Sequence, residues 1–308
     1  MKGVFIMNAK LLLKEFLFDC EVRKFSKRTI KSYRNNIDLF LNYIEKQLDI
    51  TDIEIIISHN IKEYMSYLYG KNLKETYINN ILKSLRSYFK YCLSEEYIKM
   101  SPTEKVQWAK EQQTIINAFT DDEVKNMLEV YKWNDYLNAR NKTILAVLFD
   151  TGVRCSELCN IIISDIRDTH IVISNAKGKK ERYVSISPIL SKYLMKYERM
   201  KEYYFKAHNL KDDNYFLSRT GRPLTNEAVE RIVKLAGQQA NIRTEIRCSP
   251  HTCRHYFSQA QLRNSLDIYS LSRILGHENI TITKRYLQSL QDKDILKLSV
   301  KSSPLMNL

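Results

Sequence analysis

With 308 residues, the chain is long enough for two domains of about 150 residues each, each burying its own core, which excludes a peptide hormone or a small stapled scaffold. Lys and Arg number 49 against 35 Asp and Glu, a formal charge of +14 that favours an anionic partner, nucleic acid first. Residues 1–110 hold 19 basic and 13 acidic side chains and the remainder 30 and 22, so both halves could face one polyanion, although a solvated basic surface would give the same totals. Leu11-Leu12-Leu13 is broken by Lys14, Glu15 and Asp19 and does not resemble a secretory signal, and no apolar run reaches membrane-spanning length. The six cysteines are scattered, with Cys155 and Cys159 at a helical spacing that suits burial rather than disulfides. A reduced, cytoplasmic protein with no membrane partner is expected.

Glycine (7) and proline (5) are scarce, which predicts long helices. After Ser26, an N-cap, Ile30, Tyr33, Ile37, Phe40, Leu41 and Ile44 recur at three- and four-residue steps and predict one amphipathic helix. A second follows Ser58 through Ile61, Tyr64, Met65 and Leu68, with Gly70 placed to end it in a left-handed conformation. A third runs from about Lys74 to Leu93 through Ile78, Ile81, Leu82, Leu85 and Phe89. Its other faces carry Lys83, Arg86 and Lys90 among Tyr77, Tyr88 and Tyr91, which could meet phosphates or simply water. The period fades between Tyr97 and Asn117, where Ser101-Pro102 and a polar stretch from Lys110 to Gln113 read as a linker.

A new domain opens at Thr120, where Thr120-Asp121-Asp122-Glu123 has the spacing of a capping box. Residues 169–174 and 181–187 predict two short strands around a basic Lys-Gly turn. Helices resume after Ser187-Pro188, Thr225 and Ser249-Pro250, where a hydroxyl caps and proline suits the first turn.

Four segments of this second half hold groups suited to phosphoryl transfer. Thr151-Gly152-Val153-Arg154-Cys155-Ser156-Glu157-Leu158 sets an arginine just after a glycine turn near a helix start, where guanidinium and backbone donors meet an anion together. The charged tip Lys177-Gly178-Lys179-Lys180-Glu181-Arg182 could deliver a proton or enter a groove, and could equally be a solvated turn. His251-Thr252-Cys253-Arg254-His255 puts His251 and Arg254 on one helix face at i, i+3. His251 and His255 with Cys248 or Cys253 would also suit zinc, but Arg254 on the same turn opposes a metal charge. Last come Leu275-Gly276-His277 and, nine residues on, Tyr286; in a chain with 20 tyrosines, Tyr286 alone carries no information.

Together and in this order, these segments resemble the tyrosine recombinase family, also called the phage integrases. The resemblance implies a mainly α fold with a small β-sheet: an N-terminal helical, SAM-like core-binding domain (1–96), a linker (97–117), an α+β catalytic domain (118–290) and a C-terminal tail (291–308), which could dock on a neighbouring protomer as family tails do, or could equally pack on its own domain or fray. It implies that Tyr286 is the nucleophile, forming a 3′-phosphotyrosyl bond and releasing a 5′-hydroxyl, so that strands can be exchanged and resealed without ATP. Arg154 and Arg254 would hold the non-bridging oxygens. Lys177, ahead of the glycine of its Lys-Gly turn, would protonate the 5′-oxygen, His251 would help move the tyrosine proton, and His277 would donate a hydrogen bond to the phosphate. Glu157 would orient its neighbours. No cofactor or metal is implied. The implied partners are double-stranded DNA, further copies of the chain in a synaptic tetramer, and accessory directionality proteins. The competing expectations are a DNA-binding regulator on the same fold that does not cut, and a topoisomerase sharing the chemistry without paired sites.

Overall fold

The computed structural model describes residues 7–111, 117–174, 181–206, 212–277 and 279–287, together with Leu296 and Val300. Among them the fold is mainly helical, with one two-stranded antiparallel sheet. The chain divides into two units, Met1–Gln113 and Thr114–Leu308. No helix among the described residues is long and apolar enough to cross a membrane.

Four helices build the first unit: α1 (Ala9–Val22), α2 (Lys27–Leu48), α3 (Ser58–Gly70) and α4 (Glu75–Ser94). The periodic apolar residues turn inward, among them Ile37, Phe40, Leu41, Ile61, Tyr64, Ile78, Leu82 and Phe89. The Ser26 hydroxyl accepts from the Thr29 amide at 3.1 Å, satisfying one of the donors a helix start leaves open. Because glycine is rare, the left-handed positions after these helices fall on Lys24, Asp49, Asn72 and Glu96, each costing about 1–2 kcal/mol that packing on either side must offset.

Three expectations change here. Gly70 is the last helical residue of α3, and the left-handed position falls two residues on, at Asn72, whose short polar side chain tolerates it. Tyr88 does not meet solvent: it is fully buried and donates its hydroxyl to the Ala9 carbonyl at 2.7 Å. Arg86 stacks over Trp108 and donates to the Val106 carbonyl at 2.6 Å, while Asn79 pairs through both ends of its amide with the Ala109 backbone. Ile98 and Val106 are buried, so the stretch up to Ala109 packs onto the first unit.

In the second unit, α6 (Tyr136–Thr151) is buried nearly all round from Thr143 to Phe149, as expected of a helix with apolar residues on every side. Packed against it are α5 (Asp121–Val130), α8 (Pro188–Phe205) and α10 (Pro250–Arg263). The capping box forms in full: the Thr120 hydroxyl accepts from the Glu123 amide at 3.2 Å and the Glu123 carboxylate from the Thr120 amide at 2.8 Å. Strands β1 (His170–Ile173) and β2 (Arg182–Ser185) pair with Ile171 opposite Val184 and Ile173 opposite Arg182. Period-two alternation sends Ile171, Ile173 and Val184 into the core. Ser187, Thr225 and Ser249 cap α8, α9 (Asn226–Gln239) and α10, with Pro188 and Pro250 in first turns. The short helices α7 (Cys155–Asn160), α11 (Ile268–Leu275) and α12 (Ile280–Leu287) carry the remaining motif residues.

Gly152 closes α6 at φ 62°, and a β-carbon there would stand 2.3 Å from the Phe257 ring. Left-handed strain and overpacking together predict that Gly152→Ala lowers stability by about 2–4 kcal/mol. Urea denaturation checks this, and an unchanged midpoint would contradict it.

Candidate active site

After Gly152 the chain turns through Val153 and sets Arg154 at the N-cap of α7. Its amide donates to Glu157 Oε2 at 2.7 Å and its Nη1 to Oε1 at 2.8 Å. The same carboxylate receives both Nη groups of Arg182, from the start of β2, at 2.8 and 2.6 Å. Burial alone would raise the Glu157 carboxyl; the hydrogen bonds and charge of Arg182, then the amide and guanidinium of Arg154, outweigh it and bring the pKa down to about 2.

The two arginines and Arg254 then converge on the end of α11. Arg182 Nε donates to the Ile274 carbonyl at 2.7 Å, Arg254 Nη2 to Leu275 at 2.6 Å and Arg154 Nη2 to Gly276 at 3.1 Å. Three consecutive carbonyls at a helix C-terminus, which the helix leaves unpaired and partially negative, take one guanidinium each. Gly276 is required by this close approach: it sits at φ 62°, with Arg182 Cδ 2.9 Å from where a β-carbon would be.

Arg254 is 3% exposed, and its Nη1 also donates to the Gly152 carbonyl at 2.7 Å. Burial, then the nearby Arg154, lowers its pKa to about 10, which leaves it cationic at neutral pH. Its Nη2 lies 3.0 Å from His277 Nε2. A guanidinium only donates, so Nε2 accepts, and Nδ1 carries the proton shared with Thr283 Oγ1 at 2.8 Å. Burial, followed by Arg254, Arg154 and Arg182, holds the His277 imidazole at about 4, hence neutral.

Tyr286, on α12, is buried in a small apolar cluster with Phe257, Leu262, Leu271 and Leu275. Its ring lies nearly parallel to that of His277, at 12° and 6.5 Å between centroids, and its hydroxyl is 3.2 Å from His255 Nδ1. His251 is exposed and packs its ring edge-on against His255, 4.1 Å between centroids. His251 and Arg254, at i and i+3 of α10, differ in burial, Arg254 being buried and His251 exposed.

Arg154, Arg254, His277 and Tyr286 thus meet around the α11–α12 turn, with His251 at its rim. Lys177, with Lys179 and Lys180, lies outside the described residues. Among the described residues no three His, Cys, Asp or Glu side chains gather as metal ligands. Cys253 is fully buried, and the Cys248 thiol lies against Gly237 on α9. Two contacts were not foreseen: Arg182 on Glu157, and His255 on Tyr286. Each residue ends a motif already noticed, the charged hairpin tip and the His251-to-His255 segment, and that position was the only signal available.

The second unit matches the family model described as the phage integrase family over residues 117–293, and the first matches its N-terminal SAM-like domain over residues 12–99. Tyrosine recombinase XerD of Halalkalibacterium halodurans is 30% identical over 279 residues, 89% of this chain and 91% of the relative. Tyrosine recombinase XerC of Pediococcus pentosaceus is 28% identical over 274 residues, 88% and 90% of the two chains. In fold, the chain is similar to XerH site-specific recombinase in a post-cleavage complex with a palindromic difH substrate, with a TM-score of 0.74 at 19% identity over 97% of this chain and 85% of that one. The arrangement is that of a tyrosine-type site-specific recombinase. The chain belongs to the phage integrase family.

The site sets a pH dependence of folding. Between about 6.5 and 4 the unfolded chain takes up protons on His255 and His277 that the folded site excludes. Below about 4.5 it also protonates Glu157, which stays ionised in the folded state down to about 2. At these three groups the unfolded state binds more protons throughout, so their contribution to stability falls as the pH falls across this window. Urea midpoints measured from pH 7 to 4 are expected to decline, and a flat or rising series would contradict the assignment.

Proposed function

We propose that this recombinase cuts and rejoins duplex DNA through a 3′-phosphotyrosyl intermediate on Tyr286, using neither metal nor ATP. The observation that carries the reading is the convergence of two fixed guanidiniums and a tyrosine hydroxyl on one turn. Arg254 spends three of its five N–H donors, and Arg154 two, on protein acceptors among the described residues, which leaves donors on both for an anion. Two cations that are already oriented supply the charge that a pentacovalent phosphate needs, with no reorganisation at the moment of reaction.

In this reading the Tyr286 oxygen attacks phosphorus while Arg154 and Arg254 hold the non-bridging oxygens. Lys177 gives its proton to the departing 5′-oxygen, and His251 helps carry away the tyrosine proton. Burial, and after it the neighbouring cations, keep His277 neutral; the incoming anion offsets the cations, so that this imidazole takes up a proton and donates to the phosphate. The phosphotyrosyl bond keeps the energy of the broken linkage, so a second strand's 5′-hydroxyl reseals it. The working form is a set of copies on double-stranded DNA, a tetramer in the synapse. Residues 1–96 and 118–290 act as core-binding and catalytic domains joined by 97–117, residues 291–308 dock on a neighbouring copy, and accessory proteins set direction in the cytoplasm.

A nicked duplex from DNA flanking the protein's own gene, which loses a short strand on cleavage, tests this in the presence of chelator. The wild type should give a shifted, protein-linked band on a denaturing gel, and Tyr286→Phe should give none while still binding DNA. Equal trapping by Tyr286→Phe would place the nucleophile elsewhere. Binding without trapping by the wild type would favour the non-cutting regulator.

A further inference from the structure

The Tyr286 hydroxyl is held by a residue that none of the roles above uses. His255 Nδ1 lies 3.2 Å from it, whereas His251, one helical turn earlier, packs its ring on that of His255. The spacing explains the order: residues at i and i+4 of α10 stack along one face, so the inner imidazole touches α12 and the outer one touches water. We infer that His255 is the immediate acceptor of the Tyr286 proton and that His251 passes the proton on to solvent. The inference rests on the covalent reading of Tyr286 given above.

The chemistry balances without further reactants. As the bond from the Tyr286 oxygen to phosphorus forms and the bond from phosphorus to the 5′-oxygen breaks, the phenol proton moves to His255 Nδ1, and the leaving 5′-oxygen takes a proton from Lys177. Rejoining runs the same path in reverse: the attacking 5′-hydroxyl gives its proton back to Lys177 as its bond to phosphorus forms, and His255, reprotonated from solvent through His251, protonates the departing phenolate. His255 must be neutral to begin, and burial, followed by His251, Arg254 and Arg285, holds it at about 4. Among the described residues, the groups facing it are His251 and Arg254 from α10 and Arg285 and Tyr286 from α12. A phosphate bound between the arginines adds the missing negative charge and raises its basicity when the proton has to move.

The test is single-turnover trapping on the DNA segment that traps the wild type, made with either an ordinary or a sulfur-substituted 5′-bridging position. Sulfur leaves without a proton, so any defect that persists on it lies at the nucleophile. His255→Asn keeps a polar group where Nδ1 stood but cannot serve as a base. It should bind DNA normally and cleave about 100-fold more slowly on both substrates, with the deficit shrinking as the pH rises toward ionisation of tyrosine. His251→Gln, at an exposed position, should lose less than His255→Asn on the sulfur substrate. Wild-type cleavage by His255→Asn, or its full rescue by sulfur, would overturn the inference. So would a loss of about 100-fold or more for His251→Gln on the sulfur substrate, an outcome that can be read even if the Asn variant fails to fold. Failure of the wild type to trap would instead remove the covalent reading itself.

Discussion

Everything at this site hangs on the C-terminus of one short helix. The carbonyls of Ile274, Leu275 and Gly276 have no partners within α11, and each takes an arginine from a different part of the chain: the start of β2, the first turns of α10, and the N-cap of α7. Three like charges would not gather there unaided. Glu157 makes it possible by taking two of them on one buried carboxylate, and the helix end adds partial negative charge. Removing that carboxylate would leave guanidiniums with their mutual repulsion and only carbonyl partners, the costly case for buried charge.

This arrangement links packing to chemistry. Arg254 is held on one side by the end of α6, through Gly152, and on the other by the end of α11, so two helix termini fix one guanidinium. The same α11 buries Leu271 and Leu275 beneath Tyr286, so the element that orients the cations also seats the tyrosine. Both glycines that permit this, Gly152 and Gly276, are in left-handed conformations with a side chain where their β-carbons would be. In a chain with seven glycines, two are spent here, while the helices of the first unit close on Lys, Asp, Asn and Glu.

Much of this was legible in the sequence because it is local. The caps at Ser26, Thr120, Ser187, Thr225 and Ser249 are set within four residues, and the apolar period fixed which faces of α2, α3 and α4 turn inward. The ordered motifs pointed to Arg154, Arg254, His277 and Tyr286. What escaped depends on partners distant in the chain. Tyr88 is buried by a carbonyl 79 residues away, Arg182 meets a carboxylate 25 residues back, and His255 meets a hydroxyl 31 residues on. Gly70 was misplaced for a different reason: left-handed turns favour glycine without requiring it, and Asn72 served.

The most direct test of the carboxylate's place at the centre is Glu157→Gln, which keeps the shape and removes the charge that gathers Arg154 and Arg182. On the proposed reading, in which Arg154 and Arg254 hold the transition-state phosphate, single-turnover trapping on a cleavable duplex should slow by about 100-fold while DNA affinity changes little. Trapping at the wild-type rate would contradict the account, since the arginines would then be held without the carboxylate.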